Sequence, residues 1–337
     1  MSLPRDNRPQ PILDPPANLI VGAGVAGSTL AYELSKTGSV TVLEAGKLTR
    51  EGASSIPVAL LNPHRGRSAK AKDLDTNGLA AMWRLVDELV ALGYETGVHK
   101  SGVLRIASSP RQEKLWRGRG LPYFDTLAEP YHAPYGALLV ERGGWLEPGL
   151  FLNALHEAAK ANGAQFVENT QVNTLEKSLN GWQVHSSSGD FAAARVILCV
   201  GASQLGSFEL PELERVEGDV LSFDTDLELP KPIAGAVYGA QTRAGITMGG
   251  NHRPLGEIDP EAVPRLQKSS GWFIKGLSDA AIAAHWTGVR AKREDNNPLI
   301  TELEPNLWFY GALGGRGFLC SAYLSGDLAA KLVGSVT

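Results

Sequence analysis

At 337 residues the chain exceeds the size at which one hydrophobic core usually suffices, so about two domains are expected. Hydrophobic residues at 43% and charged residues at 20% are ordinary for a globular protein, and a net charge of −4 makes no general case for nucleic acid or anionic membrane as partner. Cys199 and Cys320 are too few for a disulfide framework and form no metal-spaced pair; each sits among small or apolar residues, as a buried inert thiol does. No metal site is expected.

Residues 1–16 hold five prolines (Pro4, Pro9, Pro11, Pro15, Pro16) and no apolar core, and read as a disordered leader. The uncharged run from Pro15 to Tyr32 is long enough to consider for a membrane. Its glycines, its Asn18 and the turn inside it argue against one, leaving a cytoplasmic protein as the default.

The run Asn18-Leu19-Ile20-Val21 reads as a strand and feeds directly into Gly22-Ala23-Gly24-Val25-Ala26-Gly27, a G-x-G-x-x-G turn. An alanine-rich helix to about Thr37 follows, closed by Gly38, and then a second strand, Val40–Glu44. In this β-α-β unit Gly22 allows the tight turn, Gly24 lets the backbone approach a pyrophosphate, and Gly27 lets helix and sheet pack closely. The phosphates then sit on the free N–H groups at the helix start. Glu44 lies 17 residues past Gly27, where an acid can accept hydrogen bonds from an adenosine ribose. A dinucleotide is therefore expected, and the motif leaves open which one.

The segment 51–63 is rich in small and apolar residues without a clear period, suited to running along an extended cofactor. His64-Arg65-Gly66-Arg67 with Lys70 and Lys72 is a basic run, read as a solvated loop or as one that greets a phosphate-bearing substrate. Met82, Leu85, Val86, Leu89 and Val90 repeat at helical spacing up to Gly93. Strands are expected at Val103–Ala107, Ala137–Glu141 and Gln165–Val167, with a basic helix at Arg111–Arg119 and another that Trp145–Gly149 leads into and that runs to about Asn162. Val172, Leu175, Trp182 and Val184 alternate around Asn180-Gly181, a hairpin signal. The apolar run Val196–Val200, ending in Gly201-Ala202, reads as a buried parallel strand whose end approaches a ligand. Val220–Phe223, Ala236–Gln241 and Gly245–Met248 are candidate strands of an antiparallel sheet in a second region. Trp308–Ala312 is a late strand, and Gly314–Phe318 leads into a terminal helix from Ser321 to about Val333.

Together the GAGVAG turn with Glu44, the Gly52–Ser55 loop, the Val196–Ala202 strand and Gly314-Gly315-Arg316-Gly317-Phe318 resemble FAD-dependent amine oxidases of the D-amino-acid oxidase group, over nearly the whole chain after residue 17. The tail Gly311–Ala322 is most similar to the flavin domain of a bifunctional tRNA wobble-uridine enzyme, which removes a carboxymethyl group from carboxymethylaminomethyl-uridine. The present chain has no room for that enzyme's fused methyltransferase domain, so a stand-alone flavin module or a relative with a small amine substrate is expected.

The resemblance implies FAD and an α/β fold (α+β overall): a Rossmann-like FAD-binding domain with a second domain built on an antiparallel sheet. The FAD-binding domain is assigned to 17–75, 145–215 and 287–337, and the substrate domain to 76–144 and 216–286. Cofactor contacts are implied at Gly22, Gly24, Val25, Ala26 and Gly27, at Glu44 and Ala45, at Gly52, Ala53, Ser54 and Ser55, and at Val172, Val200, Gly201 and Ala202. At the far end they are implied at Gly314, Gly315, Arg316, Gly317, Phe318 and Leu319.

Arg290 resembles the family's carboxylate clamp, the alternative being a surface ion pair with Glu294 or Asp295. Arg316 matches a second position near substrate and flavin, the alternative being a backbone-capping arginine. Tyr238 is a candidate for the tyrosine of the carboxylate pocket, or else packing, and His252 reads as structural. The implied activity is oxidation of the C–N bond in a glycine-like amine by hydride transfer to flavin, with imine hydrolysis and O2 as acceptor. Its substrate is a small amino acid or N-substituted glycine; the alternatives are tRNA carrying the carboxymethylamino group, and a non-catalytic FAD-binding protein. Neither membrane attachment nor an oligomeric state is read from the residues.

Overall fold

The parallel sheet grows from the apolar runs expected to be strands. In the computed structural model, which describes residues 17–206 and 208–334, its order is Gln165–Val167, Val40–Leu43, Asn18–Val21, Arg195–Leu198, Leu307–Gly311 and Leu299–Glu304. The first five are parallel, and Leu299–Glu304 closes one edge antiparallel to Leu307–Gly311. Asn18–Val21, Val40–Leu43 and Leu307–Gly311 are buried at every position, which is why their sequences are continuous apolar runs rather than alternating ones. The proline-rich leader expected at 1–16 lies outside the described residues.

Helices Val25–Ser35, Asp73–Ala91, Pro148–Ala161 and Gly317–Gly334 form the core on one face of this sheet, with Leu30, Met82, Phe151 and Leu328 within it. The other face carries the meander Val172–Ser178, Gly181–Ser186 and Gly189–Ala193, whose Trp182 and Val184 pack on Leu19 and Val196. That is an α/β layer covered on both sides.

The second sheet runs Arg253–Pro254, Glu214–Asp224, Gly245–Gly249, Tyr238–Thr242, Ile233–Ala234, Val103–Ile106, Ala137–Val140 and Tyr123–Phe124, with Ala281–Lys292 also paired to Glu214–Asp224. Every pairing is antiparallel except that of Ile233–Ala234 with Val103–Ile106. Helix Ala262–Phe273 covers it through Leu266 and Phe273.

Two expected boundaries move. The break at 75/76 falls inside helix Asp73–Ala91, whose Leu79, Met82, Leu85, Val86 and Leu89 belong to the nucleotide-side core rather than to the second region. The break at 286/287 falls inside strand Ala281–Lys292, which stays registered on Glu214–Asp224 along its whole length. Helical and strand periodicity locate elements; they do not reveal which core an apolar stripe joins.

Candidate functional site

Both glycine turns open onto one cleft of about 2180 Å3 between the two sheets. At the first, Gly22 has φ +101°, and a Cβ there would lie 2.5 Å from the Cys199 carbonyl oxygen, so side chains are excluded by strain and by space. A Cβ on Gly27 would collide with the Gly22 carbonyl, which is the close helix–strand approach expected of the third glycine. Glu44 holds the turn from the neighbouring strand: its carboxylate accepts hydrogen bonds from the Ala23 N–H at 2.6 Å and the Gly46 N–H at 3.2 Å. Ser54 Oγ accepts from the Val25 N–H at 2.9 Å, an N-terminal cap supplied by the Gly52–Ser55 loop. Ser55 Oγ in turn accepts from Trp286 Nε1 at 3.0 Å, tying that loop to the long strand of the second sheet.

Of the residues expected to touch a cofactor, Gly22, Gly24, Val25, Ala26, Glu44, Ala45, Gly52, Ala53, Ser54, Ser55, Val172, Val200, Gly201 and Ala202 line this cleft. So do Gly314, Gly315, Gly317, Phe318 and Leu319. Gly27 lies behind it, packed on the strand. A Cβ on Gly317 would lie 3.0 Å from Val25 Cγ1, so helices Val25–Ser35 and Gly317–Gly334 begin side by side, both N-termini in the cleft wall. Thr29 Oγ1 and Ser325 Oγ, 2.8 Å apart, lock the pair together one turn deeper.

Beneath the first turn, Ser28 Oγ donates to the Ala23 carbonyl at 2.8 Å, so it accepts the hydrogen bond from His156 Nε2 at 2.8 Å. That assigns the proton to Nε2 and leaves buried Nδ1 without a partner. Burial, with Lys160 nearby, pushes the His156 pKa down to about 4.

At the other end, strand Ala281–Lys292 places Arg290 over Gly218, where a Cβ would lie 2.7 Å from Arg290 Nη2. The Arg290 guanidinium has no hydrogen bond or ion pair among the described residues; Asp295, a candidate partner, pairs with Arg293 at 3.4 Å. Tyr238 stands close by: burial raises its pKa while Arg290 opposes the rise. His252 also lines the cleft, and burial and the charge of Arg290 lower its pKa.

Arg65, in the basic run expected to be a solvated loop or to greet a phosphate-bearing substrate, belongs to this group. A Cβ on Gly315 would lie 3.2 Å from Arg65 Nη2 and 3.6 Å from Arg290 Nη1, so the two guanidinium groups converge on one turn. Burial lowers the Arg65 pKa, Asp75 opposes this, and Arg316 and Arg290 add to it. The segment that carries Arg65 is held by Arg105, which donates to the carbonyls of His64 and Gly66 and lies 4.8 Å over the Trp116 ring. Burial, then Arg65, pushes the Arg105 pKa down to about 10.

Arg316 binds backbone, as in the alternative given for it, and does not line the main cleft. Its guanidinium turns away from the main cleft into a second cavity, donates to the Asn296 carbonyl and lies 3.7 Å from Asp75. Among the described residues no His, Cys, Asp and Glu side chains cluster as metal ligands, and no helix is long and apolar enough to cross a membrane. Both cysteines are buried; burial raises the Cys199 pKa, and burial with Asp75 raises that of Cys320 to about 12.

Known proteins match this arrangement. The chain is 26% identical to the tRNA 5-methylaminomethyl-2-thiouridine biosynthesis bifunctional protein MnmC of Maricaulis maris over 94% of its own length, spanning about half (52%) of that relative. It is 26% identical to the glycine oxidase of Geobacillus kaustophilus over 93% of this chain and 92% of that one. A crystal structure of glycine oxidase from Geobacillus kaustophilus superposes with TM-score 0.82 at 24% identity, covering 95% of both chains. Iminodiacetate oxidase from Chelativorans sp. BNC1 superposes with TM-score 0.77 at 18% identity, over 94% of this chain and 95% of that one. The family model described as FAD dependent oxidoreductase matches residues 19–332. The long cleft, its glycine turns without side chains and its two helix N-termini fit an extended dinucleotide. The chain belongs to the FAD-dependent oxidoreductase family of D-amino-acid oxidase type and is an FAD-dependent oxidoreductase.

Proposed function

We propose that this protein oxidises the C–N bond of a glycine-like unit, an amino acid or N-substituted glycine, with the substrate carboxylate held by Arg290. The observation that carries the reading is the Arg290 guanidinium: it faces the cleft beside the Gly314–Gly317 turn, and no carboxylate lies within ion-pair distance among the described residues. A planar guanidinium grips a carboxylate by two parallel hydrogen bonds. Tyr238 completes that pocket, and Arg65 adds a second positive charge. Arg316 acts from behind, holding the glycine turn through Asn296 and Asp75.

Bound along the cleft, FAD supplies the two-electron acceptor for the α-carbon hydride. The chain fixes the α-carbon by its carboxylate. The substrate imine takes up water and falls to an aldehyde or keto acid plus amine, and molecular oxygen is the final acceptor, yielding hydrogen peroxide.

The test is anaerobic mixing of the FAD-loaded protein with glycine, sarcosine and D-alanine, followed at the visible flavin band. A bleaching amine is expected. Arg290→Ala should lower the second-order bleaching rate by roughly 10–100-fold, the worth of charge-assisted hydrogen bonds at about 1.5–3 kcal/mol. An unchanged rate removes the clamp assignment.

A second reading is supported by the local charge: the substrate end of the cleft is lined by Arg65, Arg67, Arg105, Arg111, Arg290 and Lys292, while its acids, Glu44 and Glu51, lie at the opposite end. On that reading the glycine unit is the carboxymethylamino group of a tRNA wobble uridine. Absence of a gel shift with bulk tRNA at low salt would sink it.

A further inference from the structure

Behind the Gly314–Gly315 turn lies a second cavity of about 360 Å3, lined by Arg65, Lys70, Lys72, Lys292 and Arg316 against a single acid, Asp75. Its volume falls within the range of roughly 300–1,000 Å3 typical of small-molecule sites. It shares Arg65, Lys292, Gly314 and Gly315 with the substrate end of the main cleft, so the two are contiguous.

The positive charge there is poorly compensated. Arg316 is only 7% exposed, yet its Nη1 has no hydrogen-bond partner; at 3.7 Å, Asp75 is beyond hydrogen-bond reach. Arg65 and Lys70 stand directly opposite each other on the hairpin His64–Arg65/Lys70–Ala71, a like-charge pair that by itself disfavours the hairpin. The side chains of Lys70 and Lys72 have no partner among the described residues, and Lys292 alone is paired elsewhere, with Glu214 at 2.7 Å. Lys70 and Lys72 are themselves exposed, whereas Arg65 and Arg316 are not. Here the mostly buried Arg316 lines the same cavity as the lysines.

We propose that this cavity is an anion site for a phosphate group, separate from the pyrophosphate turn at Gly22–Gly27 and from the Arg290 clamp. Arg316 and Arg65 supply the fixed donors, and Lys70 and Lys72 close over the outer oxygens. Because the site opens into the substrate end, the phosphate is an ester on the far side of the amine substrate; that placement rests on the proposed amine oxidation, whereas phosphate binding does not.

The experiment titrates the FAD-loaded protein with inorganic phosphate and, separately, with a short single-stranded ribo-oligonucleotide, against chloride at matched ionic strength. The same titrations are made on Lys70→Gln/Lys72→Gln, checked by flavin spectrum and melting temperature. Inorganic phosphate should bind the wild type, at least tenfold more tightly than the variant. If the natural source is a phosphodiester, the oligonucleotide also binds, inorganic phosphate displaces it, and the slope of log affinity against log salt falls by about 2 in the variant. If the source is a monoester or free phosphate, only inorganic phosphate binds. No binding of either probe at low salt, or equal affinities of wild type and variant, overturns the site. Both are binding readouts, so a flavin that no amine bleaches would defeat the amine reading and leave this one standing.

Discussion

At the scale of single residues, burial and partnering decide which ionisable groups can act. Asp219 shows the structural pattern: burial alone would raise its pKa, but hydrogen bonds from Arg253, His285, Thr287 and Asn251 hold the carboxyl well below the usual range. Arg290 shows the opposite one, a guanidinium with no protein anion to satisfy it. His156 gives a sharp pH prediction. Its folded pKa of about 4 lies below the ordinary 6.5, so above pH 6.5 both folded and unfolded chains hold the ring neutral. As pH falls from 6.5 towards 4, the unfolded chain takes up the proton first, and stability drops by on the order of 3 kcal/mol. Melting curves across this window should show His156→Gln flatter than wild type; parallel curves would contradict a neutral buried ring. The Asp219 contribution is lost only below the ordinary carboxylate range, so the two windows are separable.

At the scale of elements, the first β-α-β unit works because two small residues remove the obstacles between strand and helix. Gly27→Ala places a methyl group against the Gly22 carbonyl, backbone that cannot swing aside. The cost should be about 1–3 kcal/mol of stability, as for other overpacked sites, with FAD retention falling alongside it. A variant that melts and retains FAD as wild type does would contradict the close approach. This unit was legible in sequence, since strand, glycine turn, helix and Glu44 all lie within a short stretch. Arg65 was not: a basic run on a loop reads as solvated, and nothing local says that Arg105 and Trp116, about forty or more residues on, fold under it. Which of its two readings Arg316 follows was not legible for a related reason. Its place in a glycine turn is visible in sequence, but the pull of Asp75 and Asn296 on its side chain is a long-range contact.

At the scale of the whole molecule, charge is segregated in a way that a net value of −4 conceals. Both acids lining the main cleft lie at the Glu44 end, with Arg50, and the opposite end gathers five arginines and Lys292. Composition therefore made no case for anionic partners, while the fold concentrates positive charge at one mouth. The same long-range assembly brings the Gly22 turn and the Gly314 turn, at opposite ends of the chain, into one wall through adjacent helix starts. Sequence order could assign each turn to a cofactor but could not bring the two side by side.

The central claim is that the carboxylate of a glycine unit is what the cationic end of the cleft recognises before oxidation. The direct measurement compares sarcosine with its neutral amide, and iminodiacetate with its diamide, in anaerobic mixing with the FAD-loaded protein. The account predicts that at least one acid bleaches the visible flavin band, and that its amide does so roughly 10–100-fold more slowly, since the charge-assisted bonds are gone. Equal bleaching by acid and amide would contradict it.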